Sequence, residues 1–80
     1  MEKDTKSIVM KILSEINSEI LDYNGDNLYR DGLLDSFNVI EIVSELEEAF
    51  DIEINAEDVI AENFANKESI VKLVEKITGV

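Results

Sequence analysis

The 80-residue chain contains no cysteine, no histidine, no proline and no tryptophan, and only seven basic residues. Without cysteine there is neither a disulfide nor a thiolate nucleophile. Without histidine the usual general base near neutral pH is missing, and so are the common zinc ligand sets. Neither a Ser-His-Asp nor a Cys-His site can be assembled. Carboxylates alone could still do acid–base work. A chain this short, however, buries only about 60–65% of its unfolded surface, and one compact core leaves little room for a substrate cleft. The expectation is a single domain over residues 1–80 that is not an enzyme, with no catalytic residue. No run of about 18 apolar residues is present, so no membrane insertion is expected. Met1 to Lys6 lead into a charged helical pattern and not into a basic-then-apolar export signal, which points to a cytoplasmic address.

What is abundant is negative charge. Nineteen acids against seven bases give a formal net charge of −12. Such a balance repels nucleic acid and the anionic face of a membrane. It is also uneven. Between Asp35 and Glu62 there are ten carboxylates and no base, whereas residues 63–80 hold three bases and two acids. Self-repulsion destabilises a compact chain, so a basic protein partner explains this stretch better than stability does. The same repulsion favours a monomer.

Hydrophobic spacing is helical throughout. Val9, Ile12, Leu13, Ile16 and Ile20 stand at offsets 0, 3, 4, 7 and 11 and predict a helix from about residue 4 to 21, capped by Asp4 or Thr5. Residues 22–34 form a long loop with turn chemistry at Asn24-Gly25 and Asp31-Gly32, pinned to the core by Leu28, Leu33 and Leu34. Val39, Ile42, Val43, Leu46 and Phe50 repeat the first set of offsets, in a helix that starts at Asp35-Ser36. Asp51 to Ile54 read as a connector burying Ile52 and Ile54. Asn55 is placed to cap a short helix from about Ala56 to Ala61 that buries Val59 and Ile60, and Phe64 anchors the following loop. Ile70, Leu73, Val74 and Ile77 predict a final helix from Lys67 to about Thr78, with Asn66 as its cap and Gly79 as its stop. The fold class is therefore all-α, a four-helix bundle of three longer helices and one short one.

The segment from Asp31 to Phe50, Asp-Gly-Leu-Leu-Asp-Ser-Phe-Asn-Val-Ile-Glu-Ile-Val-Ser-Glu-Leu-Glu-Glu-Ala-Phe, resembles the attachment site of acyl and peptidyl carrier proteins. The likeness continues through Asp51-Ile-Glu-Ile54, Asn63-Phe64 and Ser69-Ile70, and so covers nearly the whole chain. It implies a four-helix bundle in which Ser36, preceded by Asp35, receives a covalent 4′-phosphopantetheine from coenzyme A. It also implies a phosphopantetheinyl transferase, an acyl- or aminoacyl-activating ligase and downstream processing enzymes as partners. By the same resemblance Asn38, Glu41, Glu45, Glu48, Glu47 and Glu53 form the recognition surface for basic patches on those enzymes. Phe37, Asn38 and Ser44 depart from fatty-acid synthesis carriers, which more often have Leu or Met, an acid and an apolar residue at these places. The Gly-Leu-Leu-Asp-Ser approach and the non-acidic Asn38 after Phe37 look more like discrete aminoacyl or specialised acyl carriers, the D-alanyl carriers of cell-wall modification being one example.

Elementary physics suits that serine. A first-turn residue sits among unpaired N–H groups at the positive end of the helix dipole, where a phosphodiester gains about 0.3–1 kcal/mol. Ser36 has no neighbouring base, so another enzyme must modify it. The attached arm would supply the thiol that the chain lacks. On the same helix, Glu45, Glu47 and Glu48 lie toward the end where the dipole favours cations, a poor choice for local stability.

Two alternatives remain at this level. Asp22, Asn24 and Asp26 have the first three spacings of an EF-hand, but Asn27 stands at the required glycine and Leu33 at the bidentate glutamate, so no metal is expected. An acidic helical adaptor with Ser36 unmodified is the other.

Overall fold

The computed structural model describes residues 4–79, as four α-helical elements and two 3₁₀ turns. Helix α1 spans Thr5–Ile16, α2 is a single turn over Glu19–Asp22, α3 spans Ser36–Phe50 and α4 spans Lys67–Thr78. The 3₁₀ turns cover Ala56–Asp58 and Ala61–Phe64. Among the described residues there is no strand, and the all-helical expectation holds. Helix α1 packs against both α3 and α4. One continuous core joins Leu13, Ile42, Leu46, Phe64, Ile70 and Val74, all fully buried, and no side chain in it is polar.

The first helix is shorter than its periodicity predicts. It stops at Ile16, because Asn17 takes an extended backbone (φ −159°, ψ 104°). Asn17 closes the last turn through its own N–H to the Leu13 carbonyl at 2.9 Å. Its side chain then works in both directions. Nδ2 donates to the Leu33 carbonyl at 3.2 Å, and Oδ1 accepts from the Glu19 N–H at 3.0 Å. A bond to a residue 16 positions away thus outweighs local helical preference. The short α2 still delivers Ile20 to the core, fully buried.

The third predicted helix is corrected more strongly. Asn55 makes no side-chain cap bond, and the segment forms two 3₁₀ turns instead of one α-helix. Val59 is only half-buried and Ile60 is 45% exposed, so the expected burial of this pair fails. Four residues between Asn55 and Ile60 are too few to complete an amphipathic face, and Phe64 does the anchoring alone. Of the connector pair, Ile54 is buried and Ile52 half-buried.

The other predicted ends are in place. Asn66 Oδ1 accepts from the Ser69 N–H at 2.8 Å, and Gly79 ends α4 with φ 79°, a left-handed value natural to glycine. Asp4 caps α1 without bonding its backbone; its carboxylate accepts from the Ser7 hydroxyl at 2.7 Å.

Candidate functional site

The site is built where the long loop enters α3. Leu28 and Leu34 are buried, and the Leu28 N–H donates to the Ala65 carbonyl at 2.7 Å, which ties the loop to the approach of α4. The N–H groups of Leu33 and Leu34 both donate to the Leu28 carbonyl, at 2.9 and 3.2 Å. Gly32, at φ 82°, makes the turn that brings them back. With Asn17 holding the Leu33 carbonyl, three bonds fix the backbone just ahead of Asp35.

A second clasp stiffens the same loop. The Tyr23 hydroxyl donates to the Asp31 carboxylate and accepts from the Asn27 N–H at 2.7 Å, while Arg30 Nε lies 3.3 Å from the other Asp31 oxygen. The Tyr23 hydroxyl and then Arg30 hold the Asp31 carboxyl below the usual carboxylate range. Lost hydration, and then the bond to Asp31, push the Tyr23 phenol up. Gly25 is required by space, since a β-carbon there would overlap the Tyr23 ring.

Asp35 caps α3. Its backbone is extended, its Oδ1 accepts from the Asn38 N–H at 2.8 Å, and its carbonyl accepts from the Val39 N–H at 3.0 Å. Helix geometry leaves the N–H groups of Ser36 and Phe37 outside the intrahelical ladder. Ser36 is the first helical residue and is exposed. A hydroxyl presented to solvent beside two free N–H groups and a positive dipole end suits a phosphodiester linkage.

The predicted recognition residues separate into two sets. Glu41, Glu45 and Glu48 are exposed along α3, and Asn38, half-buried, lies 3.4 Å from the Glu41 carboxylate through its Nδ2. Glu53 is exposed on the connector. Glu47 is different. It is half-buried, and its Oε2 accepts from the Ile54 N–H at 2.8 Å while its carbonyl accepts from the Ile52 N–H at 3.1 Å. Its carboxylate organises the turn after α3.

Sequence reasoning missed an apolar component. Phe37 is 71% and Ile40 65% exposed, on the outward side of α3 next to Ser36. The signal was present: at about 100° per residue Phe37 falls roughly opposite Val39 and cannot share its buried face. Together with Ile12 and Ile16 of α1 these residues line an open furrow of 470 Å³, in which Glu15, Glu41 and Glu45 also stand. Among the described residues no group of three or more acidic side chains is arranged to hold a metal ion, and no helix is long and apolar enough to cross a membrane.

Residues 6–77 match the family described as phosphopantetheine attachment site. Similar curated proteins include the D-alanyl carrier proteins of Bacillus cereus (strain B4264) and Bacillus anthracis (strain CDC 684 / NRRL 3495). Each is 34% identical over 74 residues, covering 90% of this chain and 94% of the relative.

Proposed function

This chain belongs to the phosphopantetheine attachment site family of carrier proteins, and from that premise we propose that Ser36 is the attachment residue of a stand-alone aminoacyl carrier. It is a carrier and not an enzyme, and the 4′-phosphopantetheine of its family supplies the thiol on which cargo is held as a thioester. One observation supports Ser36 above all: it is the exposed first residue of α3, behind a loop held in place from three directions.

The chain's own residues position the linkage. Asp35 caps the turn, and the free N–H groups of Ser36 and Phe37 would be the donors available to the linkage's negative charge. Activation of the hydroxyl falls to a phosphopantetheinyl transferase, since the chain has no histidine to take the proton. Glu41, Glu45 and Glu48, with Asp35, Asn38 and Glu53, offer a base-free surface to basic patches on that transferase, on an activating ligase and on downstream enzymes. The names of the relatives favour an aminoacyl cargo, D-alanine among them. Asn38 and Ser44 point the same way. The working form is a single monomeric carrier domain in the cytoplasm, consistent with a net charge of −12 that opposes self-association.

The test is an intact-mass measurement after incubation with coenzyme A, Mg²⁺ and a broad-specificity phosphopantetheinyl transferase. The wild type is expected to gain the mass of one phosphopantetheine and Ser36→Ala to gain none. A folded sample that several transferases leave unchanged would overturn the reading in favour of an unmodified acidic adaptor.

A further inference from the structure

Helix α3 turns two apolar side chains toward water within four residues of Ser36, and none of the described residues covers them. Phe37 and Ile40 form one wall of the furrow, and Ile12 and Ile16 of the antiparallel α1 form the other. The furrow continues past Ile12 into a second stretch of 310 Å³ that shares Ile12, Glu15 and Glu45 with the first. It therefore starts beside the attachment serine and runs along α3 toward Ala49.

Its charge is one-sided near the serine. Glu15, Glu41 and Glu45 project into the first stretch, and a base, Lys11, enters only in the second. Among the described residues the single ion pair is Arg30 with Asp31, so none of these three carboxylates is ion-paired, and Lys11 stands near Glu15 and Glu45 only at the far end of the furrow. An anionic occupant is repelled here. A long neutral acyl chain is also poorly served, because the furrow is open and would leave one side of it in water. A short group that carries a positive charge beside a small apolar side chain meets both the walls and the charge.

We propose that the furrow between α1 and α3 is the resting site of a cationic cargo, the aminoacyl end of the arm on Ser36, with its ammonium group facing Glu15, Glu41 and Glu45. The inference rests on Ser36 as the attachment residue of an aminoacyl carrier and adds where on the chain that cargo rests and which side chains hold its charge. Reach permits it. From Ser36 to Ser44 the helix rises about 12 Å, and a pantetheine arm is as long as roughly four extended residues, about 14 Å. Phe37 and Ile40 flank the arm, and the carboxylates discriminate at its end. The chain would thereby favour an aminoacyl group over an acyl group of equal size before any partner arrives.

The test attaches two hydrolysis-resistant arms, one ending in an alanyl amide and one in a propionyl amide, the same shape without the ammonium. Isoleucine methyl and backbone NMR spectra of the full chain are then compared. The alanyl arm is expected to shift Ile12, Ile16 and Ile40, with a bound-to-free ratio about two- to fivefold above that of the propionyl arm, the span a surface ion pair supplies. Replacing Glu15, Glu41 and Glu45 together by glutamine should erase the difference, with helical circular dichroism unchanged. Equal shifts from both arms, shifts confined to Ser36, or shifts at Ile54 and Phe64 would each overturn the inference while leaving attachment intact. Failure of the parent chain to gain any arm at Ser36 would show in the intact mass, and would overturn the attachment reading itself.

Discussion

The side-chain ammonium of Lys67 donates a 2.6 Å hydrogen bond to the backbone carbonyl of Leu21, across 46 residues of chain. Lys67 is the first residue of α4, where the helix dipole disfavours a cation, so local helix physics does not explain it. The bond does. Leu21 lies in the last turn of α2, whose carbonyls have no helical partner, and a charged donor satisfies one of them. Lys67→Met keeps the aliphatic stem and removes the donor. It is expected to cost about 1–2 kcal/mol, or roughly 4–16 °C in thermal midpoint, by circular dichroism. An unchanged midpoint would mean that the contact is ornamental.

Glu47 and Glu48 are adjacent in sequence and opposite in role. The Glu47 carboxylate accepts from the Ile54 N–H, whereas Glu48 stands exposed on the outer face of α3. Glu47→Ala leaves a partly buried N–H without its acceptor and is expected to destabilise by about 1–3 kcal/mol. Glu47→Gln retains an acceptor oxygen and should stay within about 0.5 kcal/mol of the parent. Glu48→Gln should leave stability equal or slightly higher, because it removes a negative charge near a helix C-terminus. Its effect should appear instead as weaker association with a basic partner, steeper at low salt. Denaturant unfolding and transferase kinetics separate the two outcomes.

The contrast between these glutamates shows what was legible in the sequence. Hydrophobic spacing and local caps placed the start of α3 at Ser36 and α4 from Lys67 to about Thr78, because their buried faces follow the helical period and their caps, Asp35 and Asn66, are local chemistry. The same period carried the first helix too far, since Asn17 breaks it through a bond to Leu33 that no local pattern announces. The short third helix formed only as 3₁₀ turns for lack of length, and Ile60 was left in water. The motif singled out Ser36 and the glutamates that stand exposed along α3. Phe37 and Ile40 could be found only by asking which apolar residues the core face excludes, and the furrow only by seeing which part of α1 stands opposite.

Asp51 is the one residue other than glycine with positive φ among those described, at φ 55° and ψ 52°, and it ends α3 by donating its N–H to the Glu47 carbonyl. A β-carbon in this left-handed conformation costs about 1–2 kcal/mol, part of which glycine returns through its greater freedom in the unfolded chain. Asp51→Gly is therefore expected to raise stability by about 0.5–1 kcal/mol, while Asp51→Ala lowers it. Paired denaturation curves decide the matter, and a glycine variant weaker than the parent would refute the account.

The clasp between Tyr23 and Asp31 gives the loop ahead of Ser36 a pH dependence of defined sign. Asp31 titrates lower in the folded chain than unfolded, with the Tyr23 hydroxyl as the chief cause. Its contribution is complete above the unfolded value of about 4 and is lost as pH falls through the lowered native value. Tyr23 titrates higher in the folded chain, through lost hydration first and the bond to Asp31 second. Its contribution is complete below about pH 10 and is lost as pH rises through the raised native value. Tyr23→Phe removes the hydroxyl from both partners and frees the Asn27 N–H as well. The gap in thermal midpoint between parent and variant should be widest around neutral pH and narrow at both ends. A gap that stays constant from about pH 3 to about pH 11 would show that the ring's packing, and not the hydroxyl's bond to Asp31, stabilises the loop ahead of Ser36.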